Sequence, residues 1–423
     1  MLYTIAIYLY QLCVILVSPF HKKARTILKG QRETFRILRQ QVDKQASYVW
    51  FHAASLGEFE QGRPLMERFR REHPEYKILL TFFSPSGYEV RKNYPGADII
   101  CYLPFDTPSN VYRFFHLVRP KMAFFIKYEF WADYMWACHH YHIPFYSVSS
   151  IFRPNKVFFR WYGHSYARVL RHVTHFFVQD EQSRELLAKR KILNNVTIVG
   201  DTRFDRVIDI ARQAKELPLV EKFCKDAPIV FVAGSSWPPD EDLIIPYFNT
   251  HPGMKLILAP HVIDEGHLRQ IEQKLKRPSL RYSVVAGEHP AASGDAHAVQ
   301  QCTDVAQADC LIIDCYGLLS SIYRYGHVAY VGGGFGVGIH NVAEAAVYGV
   351  PVLIGPNNKN FREAQDLLRL GGCFEITGQT LFNAVVDRVS SDKVLREARG
   401  AVCKDYITSN AGASDVIFQT LGL

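Results

Sequence analysis

Short apolar runs rich in β-branched and aromatic residues alternate along the chain with longer stretches whose apolar positions recur at helical spacing. In the first half the short runs are residues 48–52, 77–83, 99–103, 122–127, 144–149, 175–178 and 196–200. Between them, residues 60–71, 109–118, 131–142 and 181–190 carry the helical pattern. Strand and helix in regular alternation predict a parallel sheet covered on both faces. Residues 206–227, with Pro218 inside and Pro228 directly after, contain no candidate strand and mark a linker. The alternation restarts with strands at 229–233, 255–259, 282–285, 310–314, 327–331 and 352–354, an exposed loop at 288–304, and closing helices at 381–389 and 392–406. The predicted fold class is α/β, with two doubly wound, Rossmann-like domains over 45–205 and 228–423. Two such domains would face a cleft lined by the carboxyl ends of their strands, where open α/β folds bind ligands.

Ahead of the first domain the pattern changes. Residues 2–17 are almost uncharged and rich in Leu, Ile, Val and Tyr, and eight Lys or Arg (Lys22, Lys23, Arg25, Lys29, Arg32, Arg36, Arg39, Lys44) then face only Glu33 and Asp43. Most of the formal charge of +8 therefore sits in one segment beside an apolar one. An apolar anchor over 1–20 followed by a basic collar over 21–44 suits anionic lipid headgroups. A nucleic-acid partner is not expected, because basic residues spread over one face with interleaved aromatics are missing. A secretory signal peptide has the opposite polarity, with its charges first and a small-residue cleavage site after. The positive flank places the rest of the chain in the cytoplasm. The run is short against the ~20 residues of a comfortable span, so it tilts or lies in the interface. A buried amphipathic core helix is the alternative.

Length and composition add bounds. At 423 residues two cores are expected, and 48% hydrophobic against 21% charged residues describes a chain that folds. Nine cysteines without a Cys-x-x-Cys pair disfavour structural zinc or a disulfide framework and fit a reducing compartment.

Candidate chemistry lies where strands end. After the first strand come Ser55, Gly57 and Glu58, small residues that let an acceptor approach and a carboxylate at a helix start. Glu58 is either a partner for the helix dipole or, facing the cleft and partly desolvated, a general base. After the fourth strand stand Lys127 and Glu129, either a surface pair or a carboxylate that orients an acceptor. Later, residues 330–346 run from a strand through Gly332, Gly333, Gly334, Gly336 and Gly338 to His340, Asn341 and an alanine-rich helix. Such a loop offers backbone N–H groups to a phosphate, with Glu344 placed for ribose hydroxyls. The glycine spacing departs from the dinucleotide fingerprint and no acidic residue follows at the required distance, which disfavours a dehydrogenase. Ser235, Ser236, Pro260 and His261 end two further strands and are candidates for phosphate or base contacts, although a serine there also serves as a helix cap.

Taken in order, Ser55-Leu56-Gly57-Glu58, Tyr128-Glu129-Phe130-Trp131, Gly200-Asp201-Thr202-Arg203-Phe204-Asp205, His340-Asn341-Val342-Ala343-Glu344-Ala345-Ala346 and Pro351-Val352-Leu353-Ile354-Gly355-Pro356 resemble the 3-deoxy-D-manno-octulosonic acid (Kdo) transferases of lipopolysaccharide assembly. The resemblance implies a GT-B glycosyltransferase that moves Kdo from CMP-Kdo to the lipid A precursor at the cytoplasmic face of the inner membrane. It implies Glu58 as proton acceptor, Glu129 and Arg203 as stabilisers of the transition state, and CMP contacts at Pro260, His261, Tyr316, Gly317, Leu318, Asn341, Val342, Ala343 and Glu344. The family often has Arg where this chain has His261, Glu where it has Leu318, and Glu where it has Lys127. These departures bear on donor affinity more than on reaction class. No Asp-x-Asp motif of the metal-holding kind is found, so neither metal nor cofactor is expected. Another GT-B enzyme using a UDP-sugar and a lipid-linked acceptor, or a non-catalytic two-lobed binding protein, would share much of this pattern.

Overall fold

A computed structural model of the chain describes residues 2–287 and 304–423. All but the last residue of the loop expected over 288–304 lies outside them. The chain divides into two compact units, residues 1–206 with 411–423, and residues 207–410.

Unit 1 is built on seven parallel strands, β1 (Ser47–Ala53), β2 (Tyr76–Phe82), β3 (Ile99–Tyr102), β4 (Met122–Ile126), β5 (Phe145–Ser150), β6 (His175–Val178) and β7 (Val196–Ile198), in the order β3-β2-β1-β4-β5-β6-β7. The order reverses between β1 and β4, the doubly wound switch point. β1 is buried on both sides. Trp50 packs on Phe114, Phe115, Phe125 and Tyr134, while Val49 and Phe51 face Phe69 and Phe124 on the opposite side. Each such ring withdrawn from water stabilises by about 1.5–3 kcal/mol. The last helix, Ala413–Leu421, belongs to this unit: Ile417 and Phe418 enter the same core, and Asp205 caps the helix through the N–H groups of Gly412 and Ser414 at 2.6 and 2.7 Å. The sequence pattern had placed everything after residue 228 in the second domain.

Three N-terminal helices frame the site of unit 1: α1 (Leu2–Val17), α2 (Lys22–Gln41) and α3 (Leu56–Glu72). α2 buries Ala24, Ile27, Gln31, Thr34, Phe35 and Leu38, a stripe at helical spacing, and Thr34 donates to the Tyr102 carbonyl at the end of β3. The basic collar is thus a docked helix with its cations turned outward. Among the described residues no single helix is long and apolar enough to cross a membrane; α1 and α2 pass that test only as a pair bent by 118°.

Unit 2 repeats the plan with β8 (Ile229–Ser236), β9 (Met254–Pro260), β10 (Ser279–Arg281), β11 (Cys310–Ile312), β12 (Val328–Val331), β13 (Val352–Ile354) and β14 (Cys373–Glu375), in the order β10-β11-β9-β8-β12-β13-β14. Its switch point lies between β8 and β12. β10 and β14 were not expected, and two stretches take a form other than the expected one. Residues 282–285 form a helical turn, because β10 ends at Arg281 and the Asp314 carboxylate accepts from the Ser283 N–H at 2.8 Å. Residues 206–227, read as a linker, hold most of helix Arg203–Arg212 and all of helix Pro218–Cys224.

Candidate active site

At the switch point of unit 1 the chain leaves β1 into Ser55, the residue before α3, whose hydroxyl donates to the carboxylate of Glu58 in the first helical turn. Glu58 is half-buried, and the Tyr128 phenol beyond β4 lies within its electrostatic reach. The same turn that gives the helix an acidic first turn therefore presents a carboxylate beside the loop after β4. Gly57 is exposed and Ser55 half-buried.

Beyond β4, Lys127 adopts the left-handed conformation (φ 63°) while its N–H keeps the ladder bond to the Val148 carbonyl at 2.8 Å. This turn costs a non-glycine residue about 1–2 kcal/mol, and the segment it releases folds back toward β1. Glu129 is held by His52 and Trp131 rather than paired with Lys127. Its Oε2 lies 3.2 Å from His52 Nε2 and accepts from the Trp131 indole at 2.7 Å. His52 is fully buried and Glu129 only 15% exposed. On its other side His52 Nδ1 meets the Thr81 hydroxyl and carbonyl at 2.9 and 3.1 Å, and that hydroxyl accepts from the Trp50 indole at 2.8 Å. Facing a carboxylate, Nε2 carries the proton, and Nδ1 then accepts a hydrogen bond from the Thr81 hydroxyl.

Arg203 opens the helix Arg203–Arg212 after β7. Its Nε and Nη2 both lie 2.9 Å from Asp201 Oδ2, and the Asp201 carboxylate accepts from Gln61 Nε2 at 3.0 and 3.1 Å. Gln61 is fully buried one turn after Glu58 on α3, so α3 presents the base candidate and fixes the support of Arg203 together. Three residues singled out in the sequence, Glu58, Glu129 and Arg203, thus stand on strand-end segments of one unit. His52, Gln61 and Asp201 had not been assigned site roles. A histidine in a run as apolar as 48–53 was the available signal, since a buried polar group requires partners.

In unit 2, Ser235 also adopts the left-handed conformation (φ 52°), and Ser236 is buried with its hydroxyl donating to Glu241 at 2.9 Å. Glu241 in turn faces His267 Nε2 at 2.9 Å. Pro260 is buried and His261 exposed. The His261 ring stacks on Trp237 at 4.8 Å and lies 4.3 Å from the His340 ring, whose Nε2 accepts from the Trp237 indole at 3.2 Å. Burial, with His261 beside it, lowers the pKa of His340 and favours its neutral form. Asp240 ties the two strand ends together, accepting from Trp237 N–H and Gly333 N–H at 2.9 Å each and from the Tyr330 hydroxyl at 2.7 Å.

The glycine loop is tighter than a phosphate cradle built from its own amides. The N–H groups of Gly336 and Gly338 donate to the Gly333 carbonyl, that of His340 to Gly332, and the helix spans only Ala343–Ala346. Gly334 is required for another reason: a Cβ there would stand 2.6 Å from the Gly355 backbone, where the ends of β12 and β13 meet. Glu344 accepts from the Asn341 amide at 3.0 Å, while Val342 and Ala343 are buried. Tyr316 is 76% exposed, and Gly317 (φ 87°) turns the chain in open space before half-buried Leu318. Among the described residues no group of three or more His, Cys, Asp or Glu is placed to hold a metal ion.

Two parallel doubly wound sheets, each with candidate side chains at its switch point, make an α/β fold similar to that of GT-B glycosyltransferases. The fold is similar to UDP-GlcNAc 2-epimerase from Neisseria meningitidis (TM-score 0.58, 14% identity, 88% of this chain and 99% of that one) and to the calicheamicin glycosyltransferase (TM-score 0.51, 12% identity, 89% and 99%). Residues 29–206 match the family model of 3-deoxy-D-manno-octulosonic-acid transferase. The chain is 26% identical to the Kdo transferase of Aquifex aeolicus over 78% of its own length and 83% of that protein, and 25% identical to that of Haemophilus influenzae over 88% and 86%. Over residues 29–206 the chain is thus similar to the Kdo transferases, and relatives of that name align with most of its length.

Proposed function

We propose that this enzyme transfers Kdo from CMP-Kdo to a lipid A precursor with inversion at the anomeric carbon. Glu58 takes the proton of an acceptor hydroxyl, the hydroxyl oxygen bonds to the anomeric carbon, and the bond from that carbon to the CMP phosphate oxygen breaks. Glu129 and Arg203 stabilise charge in the transition state, as fixed, pre-paired groups do at little reorganisation cost. The donor lies along the switch point of unit 2, with Ser235, Pro260, His261, Tyr316, Gly317, Leu318, Asn341 and Glu344 around it.

The observation that carries this reading is where the family match falls in the fold. The stretch matching the family model, residues 29–206, is the one whose switch point holds Glu58 and Glu129.

The enzyme works at the cytoplasmic face of the inner membrane. With 16 residues, α1 is about 24 Å long, short of the ~30 Å hydrocarbon core. It leaves Leu9, Leu12 and Leu16 exposed and is followed by Phe20 at 92% exposure and then the cations of α2. Apolar groups beside outward-facing basic ones favour an interfacial seat on anionic lipid.

The test compares wild type with Glu58→Gln for Kdo transfer from CMP-Kdo, generated in situ, to a tetraacylated lipid A precursor in the presence of chelator. Glu58→Gln should keep the thermal shift given by CMP and lose at least about a hundredfold in rate, the scale of a general base. A variant nearly as active as wild type would place the base elsewhere; an inert wild type would remove the donor assignment.

A further inference from the structure

The first turn of α1 reaches the segment that carries Glu129. The Tyr3 hydroxyl donates to Asp106 Oδ2 at 2.5 Å and accepts from the Ala132 N–H at 3.2 Å. Asp106, 1% exposed, also accepts from the N–H groups of Asp133 and Tyr134 at 3.0 Å each, so it caps the helix Ala132–His140. The Tyr3 ring stacks on Tyr166 at 5.0 Å, and the Tyr166 hydroxyl donates to the Phe130 carbonyl. A stacked tyrosine pair therefore grips the backbone on both sides of Trp131, at Phe130 and at Ala132. Between those grips, the Trp131 indole holds Glu129. A second contact supports the first: Tyr10 of α1 packs on Phe83 and Phe105, and Phe83 lies 4.9 Å from Trp131.

We propose that Tyr3 is a positioning residue for sugar transfer: seating of α1 fixes residues 130–132, and through the Trp131 indole it fixes the carboxylate of Glu129. The apolar helix then has two jobs on two sides, lipid contact through Leu9, Leu12 and Leu16 and registry of the reactive segment through Tyr3 and Tyr10. The inference rests on the role assigned to Glu129.

Its test is Tyr3→Phe in the full chain, which keeps the ring stack and removes only the hydroxyl. Activity is assayed in detergent micelles, where membrane capture of the acceptor is not needed, beside Glu129→Gln. Tyr3→Phe loses the bonds to Asp106 and from Ala132 and should lower kcat about tenfold through the loosened segment, with KM for CMP-Kdo unchanged. Amide hydrogen exchange over residues 128–134 should quicken, a readout independent of turnover. Unchanged exchange, or full kcat in Tyr3→Phe while Glu129→Gln is crippled, overturns the positioning role and leaves that of Glu129 standing. Full activity in Glu129→Gln overturns the role of Glu129 itself, and the positioning role with it.

Discussion

His52 shows what a single side chain contributes to this site. It sits in a strand buried on both faces, where an unsatisfied imidazole would cost about 1–3 kcal/mol. Thr81 on one ring nitrogen and Glu129 on the other remove that cost and set the orientation of the carboxylate. Neither pairing was legible in the sequence, since the partners lie 29 and 77 residues away and meet His52 only through strand order. The place of Glu58 in a first helical turn was legible because its cue is local, a small-residue turn leading into a helix. The prediction at this scale is that His52→Gln, similar in length but unable to bridge both partners, lowers kcat about 10- to 100-fold, the worth of one hydrogen bond to a charged group. Full kcat with a raised KM for the acceptor would show instead that His52 only shapes the pocket wall.

Among elements, strands with long apolar runs were legible because a parallel sheet buried on both faces leaves no other use for such runs. Among strands, errors fell where elements are three or four residues long. Residues 282–285, Tyr-Ser-Val-Val, look like a strand by composition, yet hydrogen bonds from Ser283 to Asp314 turn them into a helix. β14 escaped notice because three residues at a sheet edge carry too little periodicity to see. The joint between β8, the helix Pro238–Thr250 and the helix Glu265–Lys274 yields a prediction at this scale. Burial works against the charge on His267, but the Glu241 carboxylate and the Val262 carbonyl prevail and raise its pKa above the ordinary value. A raised histidine stabilises the fold fully below its unfolded pKa of about 6.5, and that stabilisation is lost as pH climbs through the higher folded value. The thermal midpoint of wild type should therefore exceed that of His267→Gln most at about pH 6, with the gap narrowing toward about pH 9. A gap that stays constant or widens with pH would mean that the imidazolium is not the stabilising species.

Across the whole molecule, the chain leaves unit 1 at Arg206, completes unit 2, and returns at Ala411 to finish unit 1. Sequence alternation could not reveal this return, because Ala413–Leu421 looks like any amphipathic helix and its destination is set by Ile417, Phe418 and the Asp205 cap. Emptying the Phe418 site alone costs about 3–5 kcal/mol, and losing the cap about 1 more. Against a net domain stability of about 5–15 kcal/mol, removal of residues 411–423 should bring unit 1 to the edge of unfolding and leave unit 2 intact. Tryptophan placement makes this measurable: Trp50, Trp131, Trp136 and Trp161 lie in unit 1 and only Trp237 in unit 2. In the truncated protein the main fluorescence transition in urea should move to markedly lower denaturant, while amide exchange in β8, β9 and β12 keeps its protection. If the fluorescence transition stays in place, the returning helix contributes little and residues 1–206 hold their fold unaided. If both signals move together, the two units unfold as one, and the returning helix stabilises the whole chain rather than the sheet that carries Glu58.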